Sequence, residues 1–185
     1  MKNKLNLAKQ CAIKQHKGQY RKNNKTPYWH HLRDVVDNLE IMGITDESIL
    51  CSGWLHDVIE DTSFDFDDVS KSFDKKIAQI VSDVTKETRL PKNQQEKIYL
   101  KQLIGSSWQA KVVKLADILA NVSDLKNSEL TKKQKIIQIK YKVKYLGAIK
   151  SGIIKNKSKI PNLSETEYLL NLVLSQYGQR KITLF

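Results

Sequence analysis

The chain has 185 residues and a formal net charge of +12, with 32 Lys and Arg against 20 Asp and Glu. This length predicts one compact domain, residues 1–185, with a substantial core, and no internal repeat or low-complexity linker divides it. Seven Gly and three Pro supply little turn material, which favours a helical protein over a sheet protein.

The apolar runs and the cysteines indicate in which cellular compartment the protein is located. No apolar run approaches the roughly 18 residues that span a bilayer, and no apolar signal region follows the basic start Met1–Lys4. Cys11 and Cys51 are isolated within helix-like segments, so we expect two buried thiols in a reducing compartment. The sequence therefore predicts a cytoplasmic protein with no membrane partner.

The spacing of apolar residues predicts helices along most of the chain. We expect them over residues 2–17, 29–42, 46–61, 66–72, 74–86, 95–104, 107–125, 131–154 and 164–177. Polar, basic loops are expected at 18–27 and 86–94. Asp65 and Ser164 are the predicted N-caps of their helices, the second with Glu167 as its capping-box partner. The fold class that follows is an all-α helical bundle.

The run His56-Asp57-Val58-Ile59-Glu60-Asp61 crowds four ionisable side chains into a short stretch. On one continuous helix, His56 would lie over Glu60, and Asp57 would lie beside Glu60 and Asp61. Such groups repel one another unless a cation or hydrogen-bond donors compensate their charge. The run therefore predicts a bound divalent metal ion.

Two distant segments extend this ligand set. His30 and His31 follow Pro27 where a helix is expected to start, and spacing alone does not choose between them. Asp117 and Asn121 share one face of a later helix. Imidazoles and carboxylates without sulfur suit manganese, iron or zinc better than a soft metal.

Taken together, these segments resemble the HD-type metal phosphohydrolases. Within them the chain is similar to the (p)ppGpp hydrolase branch, the SpoT/Rel hydrolase domains, and to its small stand-alone alarmone hydrolases, which include the metazoan SpoT homologues. The similarity covers roughly residues 5–125 in order. It is carried by His16–Lys22, Thr26–Tyr28, His31, Trp54–Thr62, Val84–Lys86, Leu90–Lys92, Val113–Asp117 and Asn121.

The resemblance implies a single HD-domain bundle and a role for each matching residue. The implied ligands of Mn²⁺, or of another divalent metal, are His31, His56, Asp57 and Asp117. Glu60 and Asp61 would orient the attacking water and take or relay its proton. The implied substrate-binding residues are Arg21, Lys22, Tyr28, Lys92, Lys97 and Asn121.

The reaction implied by the resemblance is hydrolysis of (p)ppGpp at the 3′-pyrophosphate, which gives GDP or GTP and pyrophosphate. Two departures from the family pattern leave the nucleotide open. Ile118 stands where a basic residue is common, and Ala120 where an aromatic residue or His is common. The alternative substrates are (p)ppApp and NADPH.

The positive charge supports a rival interpretation, a non-catalytic basic module that binds nucleotides or nucleic acid. Lysines are densest over residues 132–159, where they flank an apolar stripe at helical spacing. We interpret this segment as a solvated helix face, so nucleic acid is not the expected partner. The expected partner is a small nucleotide.

Overall fold

A computed structural model describes residues 3–184, apart from the side chain of Lys92. Its α-helices are α1 Lys4–Gln15, α2 Trp29–Ile41, α3 Glu47–Leu55, α4 Val58–Asp61, α5 Phe66–Ser72, α6 Lys75–Val84, α7 Lys92–Gly105, α8 Trp108–Asp124, α9 Lys132–Lys155 and α10 Leu163–Ser175. Within this part of the chain the only β-type pairing is an isolated bridge between Tyr20 and Pro27. The prediction of an all-α fold is confirmed.

Helix α8 is the centre of the bundle. Every residue from Ala110 to Ala120 is buried, and the helix packs against α2, α3, α6, α9 and α10. A helix that is covered on all sides forms the core of its domain. Asp117, halfway along α8, is therefore held inside the protein rather than on its surface.

Close packing of α2 against α3 brings two histidines together. Gly53 makes this approach possible, because a Cβ atom at this position would lie 2.7 Å from Cδ1 of Leu39 on α2. His31 begins the buried face of α2, and His56 ends α3. The centroids of their imidazole rings are 5.2 Å apart.

The predicted helix over 46–61 is wrong in its middle. Helix α3 ends at Leu55, and α4 begins at Val58 after a turn in which Asp57 has φ −101° and ψ −1°. Nδ1 of His56 bonds the carbonyl oxygen of Gly53 at 2.9 Å, an oxygen that the Asp57 amide would bond in a continuing helix. Asp57 is the N-cap of α4, and its carbonyl oxygen accepts a hydrogen bond of 2.9 Å from the Asp61 amide. The turn therefore separates α3, which His56 caps, from the helix that carries Glu60 and Asp61.

Capping residues in the sequence predicted the start of one helix correctly and the start of another wrongly. Asp65 caps α5 in a reciprocal capping box with Asp68, as predicted. The Ser164 cap is wrong, because α10 begins at Leu163, and Glu167 is buried and accepts a hydrogen bond from the backbone of Leu184. Helix α7 begins at Lys92, earlier than the predicted residue 95.

The two cysteine thiols differ in how far they are buried. Cys51 is buried as predicted, whereas Cys11 is only partly buried, so the prediction of a second buried thiol is wrong. None of the helices between residues 3 and 184 is long and apolar enough to cross a membrane. The division of the chain into a single domain stays a prediction.

Candidate metal centre and substrate cleft

Three buried side chains from three helices converge at one point. Ligand atoms of His31, His56 and Asp117 all lie within 4.8 Å of one another. Nε2 of His31 is 3.3 Å from Oδ1 of Asp117, and Nε2 of His56 is 3.7 Å from the same oxygen. Among the described residues, Nε2 of His56 has no hydrogen-bond partner although it is buried.

The other ring nitrogen of His56 explains how this imidazole is oriented. Nδ1 lies 2.9 Å from the carbonyl oxygen of Gly53, which can only accept, so Nδ1 carries the proton and Nε2 offers its lone pair to the cluster. A backbone carbonyl that fixes the distal nitrogen is a common support for metal-binding histidines. In the neutral imidazole, the buried lone pair of Nε2 fits a metal ion.

Asp57 lies beside the three-residue cluster. Its Oδ2 is 3.0 Å from Nε2 of His56 and 3.6 Å from Nε2 of His31. Burial acts to raise the pKa of Asp57, but the His56 imidazole outweighs it, and the pKa lies below its usual range. The structure therefore places a second ionised carboxylate within reach of the same point.

The charge balance of the cluster also suits a cation. Burial acts to lower the pKa of His56, but Asp57 and Asp117 overcome it and raise the pKa to about 10. Without a metal, a proton on His56 thus compensates part of the carboxylate charge. A divalent ion would replace that proton, and two imidazoles with two carboxylates form an oxygen and nitrogen set suited to it.

Glu60 and Asp61 lie on α4, one turn beyond the ligand cluster, and both line the cleft described below. Oε2 of Glu60 accepts a hydrogen bond of 2.8 Å from the backbone amide of Lys86. Burial, and then the charge of Asp57, raises the pKa of Glu60. A carboxylate with a raised pKa is a better proton acceptor than an ordinary one.

A cleft of about 540 Å³ opens over the ligand cluster. Of the predicted substrate-binding residues, Arg21, Lys22, Tyr28 and Asn121 line it. Arg21 donates to Oδ2 of Asp124 through Nε at 3.1 Å and Nη2 at 2.9 Å, so its guanidinium is held in place. Lys22 is exposed at the edge of the cleft.

The structure does not bring every predicted residue to the cleft. Lys97 is exposed on α7 and is not among the lining residues, because the inward face of that turn is taken by Glu96 and Tyr99. Lys92 begins α7, but its side chain lies outside the described part of the protein. Contacts from either lysine to a substrate stay predictions.

The two remaining histidines lie outside the ligand cluster. His30 stacks on Trp29 with ring centroids 3.9 Å apart. His16 is buried, stacks on Tyr28 at 5.0 Å, and has Nδ1 2.7 Å from Oε1 of Gln19. The contacts of His16 are those of a residue that supports the wall of the cleft.

Helix α9 contributes a wall that was not expected from the sequence. Gln138, Tyr141, Lys142 and Tyr145 line the cleft, and the side chain of Lys142 is only 16% exposed. The interpretation of 132–159 as a solvated face is therefore wrong at Lys142, because α9 packs against α7 and α8. The helical spacing of these polar and aromatic residues was the available signal.

Two lysines, Lys114 buried and Lys142 partly buried, lie at the end of the cleft next to the candidate ligand cluster, which we call its metal end. Nζ of Lys114 is 2.8 Å from Oδ2 of Asp117, and Nζ of Lys142 is 3.8 Å from the same oxygen. Burial lowers the pKa of Lys142 to about 8, with Asp117 acting in the opposite direction. Asp117 thus presents Oδ1 to the histidines and Oδ2 to the two lysines.

The segment that holds these ligands also carries a family signature. The model of the HD domain family matches residues 8–143, the segment that contains His31, His56, Asp57 and Asp117. The chain belongs to the HD domain family. An HD domain that carries this cluster of His and Asp side chains implies a divalent metal.

Individual proteins to which the chain is similar indicate its nearest subgroup within the family. The guanosine-3′,5′-bis(diphosphate) 3′-pyrophosphohydrolase MESH1 of Drosophila melanogaster is 39% identical over 118 residues, which cover 63% of this chain and 66% of that protein. The human MESH1 is 39% identical over 116 residues, 62% of this chain and 65% of that protein. The chain thus matches just under two thirds of the length of these curated relatives.

A solved structure extends the similarity over nearly the whole fold. The structure of a metazoan orthologue of SpoT that hydrolyses ppGpp has a TM-score of 0.78 and 30% sequence identity. The alignment covers 96% of this chain and 97% of that chain. The expected resemblance to the metazoan SpoT homologues is confirmed, and it includes the helices beyond residue 125.

Proposed function

We propose that this protein is a Mn²⁺-dependent guanosine-3′,5′-bis(diphosphate) 3′-pyrophosphohydrolase. It would convert ppGpp or pppGpp into GDP or GTP and release pyrophosphate. The observation that supports this most strongly is the buried His31, His56 and Asp117 cluster beneath a cleft that five cationic side chains line. The activities for which the MESH1 proteins and the SpoT orthologue are named give the reaction class.

His31, His56, Asp57 and Asp117 would hold the metal. When bound, a divalent ion supplies Lewis acidity, which withdraws charge from a phosphoryl oxygen and lowers the pKa of a water molecule. The imidazoles would bind without adding charge, while the two carboxylates would neutralise a divalent ion. Tyr28 fixes Asp57 through a hydrogen bond of 2.6 Å from its hydroxyl to Oδ2.

Glu60 and Asp61 would perform the proton transfers. The oxygen of the attacking water bonds to the phosphorus nearest the ribose, and the bond from that phosphorus to the 3′ oxygen breaks. A carboxylate on α4 takes the proton of the water and returns a proton to the 3′ oxygen. The raised pKa of Glu60 suits this exchange.

Arg21, Lys22, Tyr28 and Asn121 would bind the nucleoside end of the substrate. The guanidinium carbon of Arg21 is 5.7 Å from the ring centroid of Tyr28, and an arginine held in this way can stack on a base or pair with a phosphate. Lys92 and Lys97 would act at the phosphates. These assignments rest on the family resemblance and on the lining of the cleft.

A nucleotide panel with Mn²⁺ tests the proposal directly. Purified protein is incubated with ppGpp, pppGpp, ppApp and NADPH, with and without chelator, and the products are separated by chromatography. We expect metal-dependent formation of GDP and pyrophosphate from ppGpp. Turnover of NADPH or ppApp in place of ppGpp would contradict the proposal that ppGpp is the substrate, but not the proposed metal chemistry.

The rival binding module makes a different prediction. It would bind DNA or RNA at about 200 mM salt, where contacts to phosphates are strongly weakened, and it would hydrolyse none of the four nucleotides. The buried ligand cluster favours the enzyme, because a binding surface has no need of a desolvated pair of imidazoles and carboxylates. The cytoplasmic location stays a prediction from the sequence.

A further inference from the structure

The cations of the cleft differ in how their charge is balanced. Arg21 is paired with Asp124, Lys86 with Glu96, and Lys114 with Asp117. Lys142 is the exception among the described cations of the cleft that are at least partly buried. Its ion-pair partner among the described residues is Oδ2 of Asp117, at 3.8 Å.

This distance is too long for a hydrogen bond, which for nitrogen and oxygen spans about 2.7–3.2 Å. The same oxygen already accepts from Lys114 at 2.8 Å. A divalent ion at Asp57 and Asp117 would also neutralise both carboxylates. The ammonium of Lys142 then faces the cleft with its charge uncompensated, although its side chain is only 16% exposed.

A largely desolvated ammonium without a close partner is unfavourable unless an anion joins it. The position of Lys142 identifies the part of the substrate that can do so. Because Asp117 presents one oxygen to the histidines and the other to Lys142, the ammonium lies at the metal end of the cleft. It therefore faces the reacting group of the substrate rather than a distant phosphate.

We propose that Lys142 contacts the substrate and selects a diphosphate, rather than a single phosphate, as the group held at the metal end. Lys114 and Lys142 lie on one side of Asp117 and offer two adjacent positive charges. A diphosphate ester carries more negative charge than a monophosphate ester and extends further from the ribose. It can therefore use the second ammonium, whereas a monophosphate is satisfied by the metal and one lysine.

This inference rests on the proposed function for its substrate, but its test does not require turnover. Inorganic pyrophosphate and inorganic phosphate are titrated into the Mn²⁺-loaded protein by calorimetry. The variants are Lys142→Met, Lys142→Gln, Lys142→Arg and a matched control, Lys140→Met, which removes an exposed lysine of the same helix outside the cleft. Metal content and helicity are measured for each variant.

We expect Lys142→Met and Lys142→Gln to weaken pyrophosphate binding by about 10–100-fold, the usual effect of a lost charged hydrogen bond. The affinity for inorganic phosphate should change by less than about 3-fold. Lys142→Arg and Lys140→Met should leave both affinities near those of the wild type. If Lys142→Met fails to fold, the polar Gln variant, which is uncharged, supplies the comparison.

The outcomes separate this inference from the proposed function. Pyrophosphate binding that does not depend on Lys142, equal losses for both anions, or no binding to the wild type would overturn the diphosphate contact. Loss of metal in the Lys142 variants would also overturn it, since Lys142 would then act through Asp117. The protein could bind pyrophosphate through Lys142 and yet fail to hydrolyse ppGpp. This outcome would support the diphosphate contact and contradict ppGpp as the substrate.

Discussion

The Tyr28 hydroxyl donates a hydrogen bond of 2.6 Å to Oδ2 of Asp57, and it thereby fixes the carboxylate that lies next to both imidazoles. The two residues are 29 positions apart, and the bond joins the start of α2 to the turn between α3 and α4. Tyr28 also stacks on the buried ring of His16. Asp57 is thus oriented from the wall of the cleft rather than by its own helix.

Replacing Tyr28 by Phe tests this orientation. The Tyr28→Phe variant should bind Mn²⁺ about 10–100-fold more weakly than the wild type, as is usual when a group that orients a ligand is lost. Metal affinity is measured by titration with a competing chelator. Tyr168→Phe, at a side chain on α10 that is 67% exposed, serves as the control. Equal affinities for the Tyr28 variant and the wild type would mean that Asp57 is positioned without the hydroxyl.

Asp57 itself should be indispensable for the metal. Asp57→Ala removes one of the two carboxylates that would neutralise a divalent ion, so both metal content and turnover should be lost. Metal content is measured by elemental analysis after gel filtration. A variant that keeps its full metal content and turnover would exclude Asp57 from the ligand set.

Glu60 and Asp61 should separate chemistry from metal binding. Glu60→Gln and Asp61→Asn should keep the metal but lose turnover by about 10²–10⁴-fold, the usual contribution of a general acid or base. Asp67→Asn, an exposed acid on the neighbouring α5, is the matched control. Loss of metal to the same extent as loss of turnover would instead make the two acids ligands.

The raised pKa of Glu60 has a consequence for stability. The folded protein holds this proton at a pH where the unfolded chain, with the ordinary value of 4.5, has released it. Stability of the metal-free protein is therefore lost as pH rises through the folded pKa. Glu60→Gln should raise the melting temperature at pH 7 relative to the wild type and make little difference at pH 4. The measurement is thermal unfolding in chelator, and a lower melting temperature of the variant at pH 7 would contradict the sign.

Arg21 should affect the nucleotide more than the metal. Arg21→Ala removes a guanidinium that lines the cleft, so KM for ppGpp should rise about 10-fold or more, while metal content stays unchanged. Arg33→Ala, at an exposed arginine on α2, controls for the loss of positive charge. An unchanged KM would restrict Arg21 to its structural pair with Asp124.

Much of this protein could be predicted from short stretches of sequence. The apolar spacing over residues 74–86 predicted helix α6, in which Ile77, Ile80, Val81 and Val84 are buried, and the Asp65 capping box depends only on residues three apart. The motifs containing His31, His56 and Asp117 pointed to a common site, because in this order they resemble the HD-type metal phosphohydrolases. These signals are local or depend on the resemblance to a family.

Tertiary structure decided the remainder. The break between α3 and α4 depends on a bond from the His56 ring to a backbone carbonyl, which competes with helix continuation and leaves no trace in apolar spacing. The burial of Lys142 depends on how α9 packs against α7 and α8, and the pairing of Arg21 with Asp124 joins residues 103 positions apart. A lysine next to an apolar stripe can face solvent or line a cleft. Only the packing of helices that are distant in sequence determines which of the two environments surrounds it.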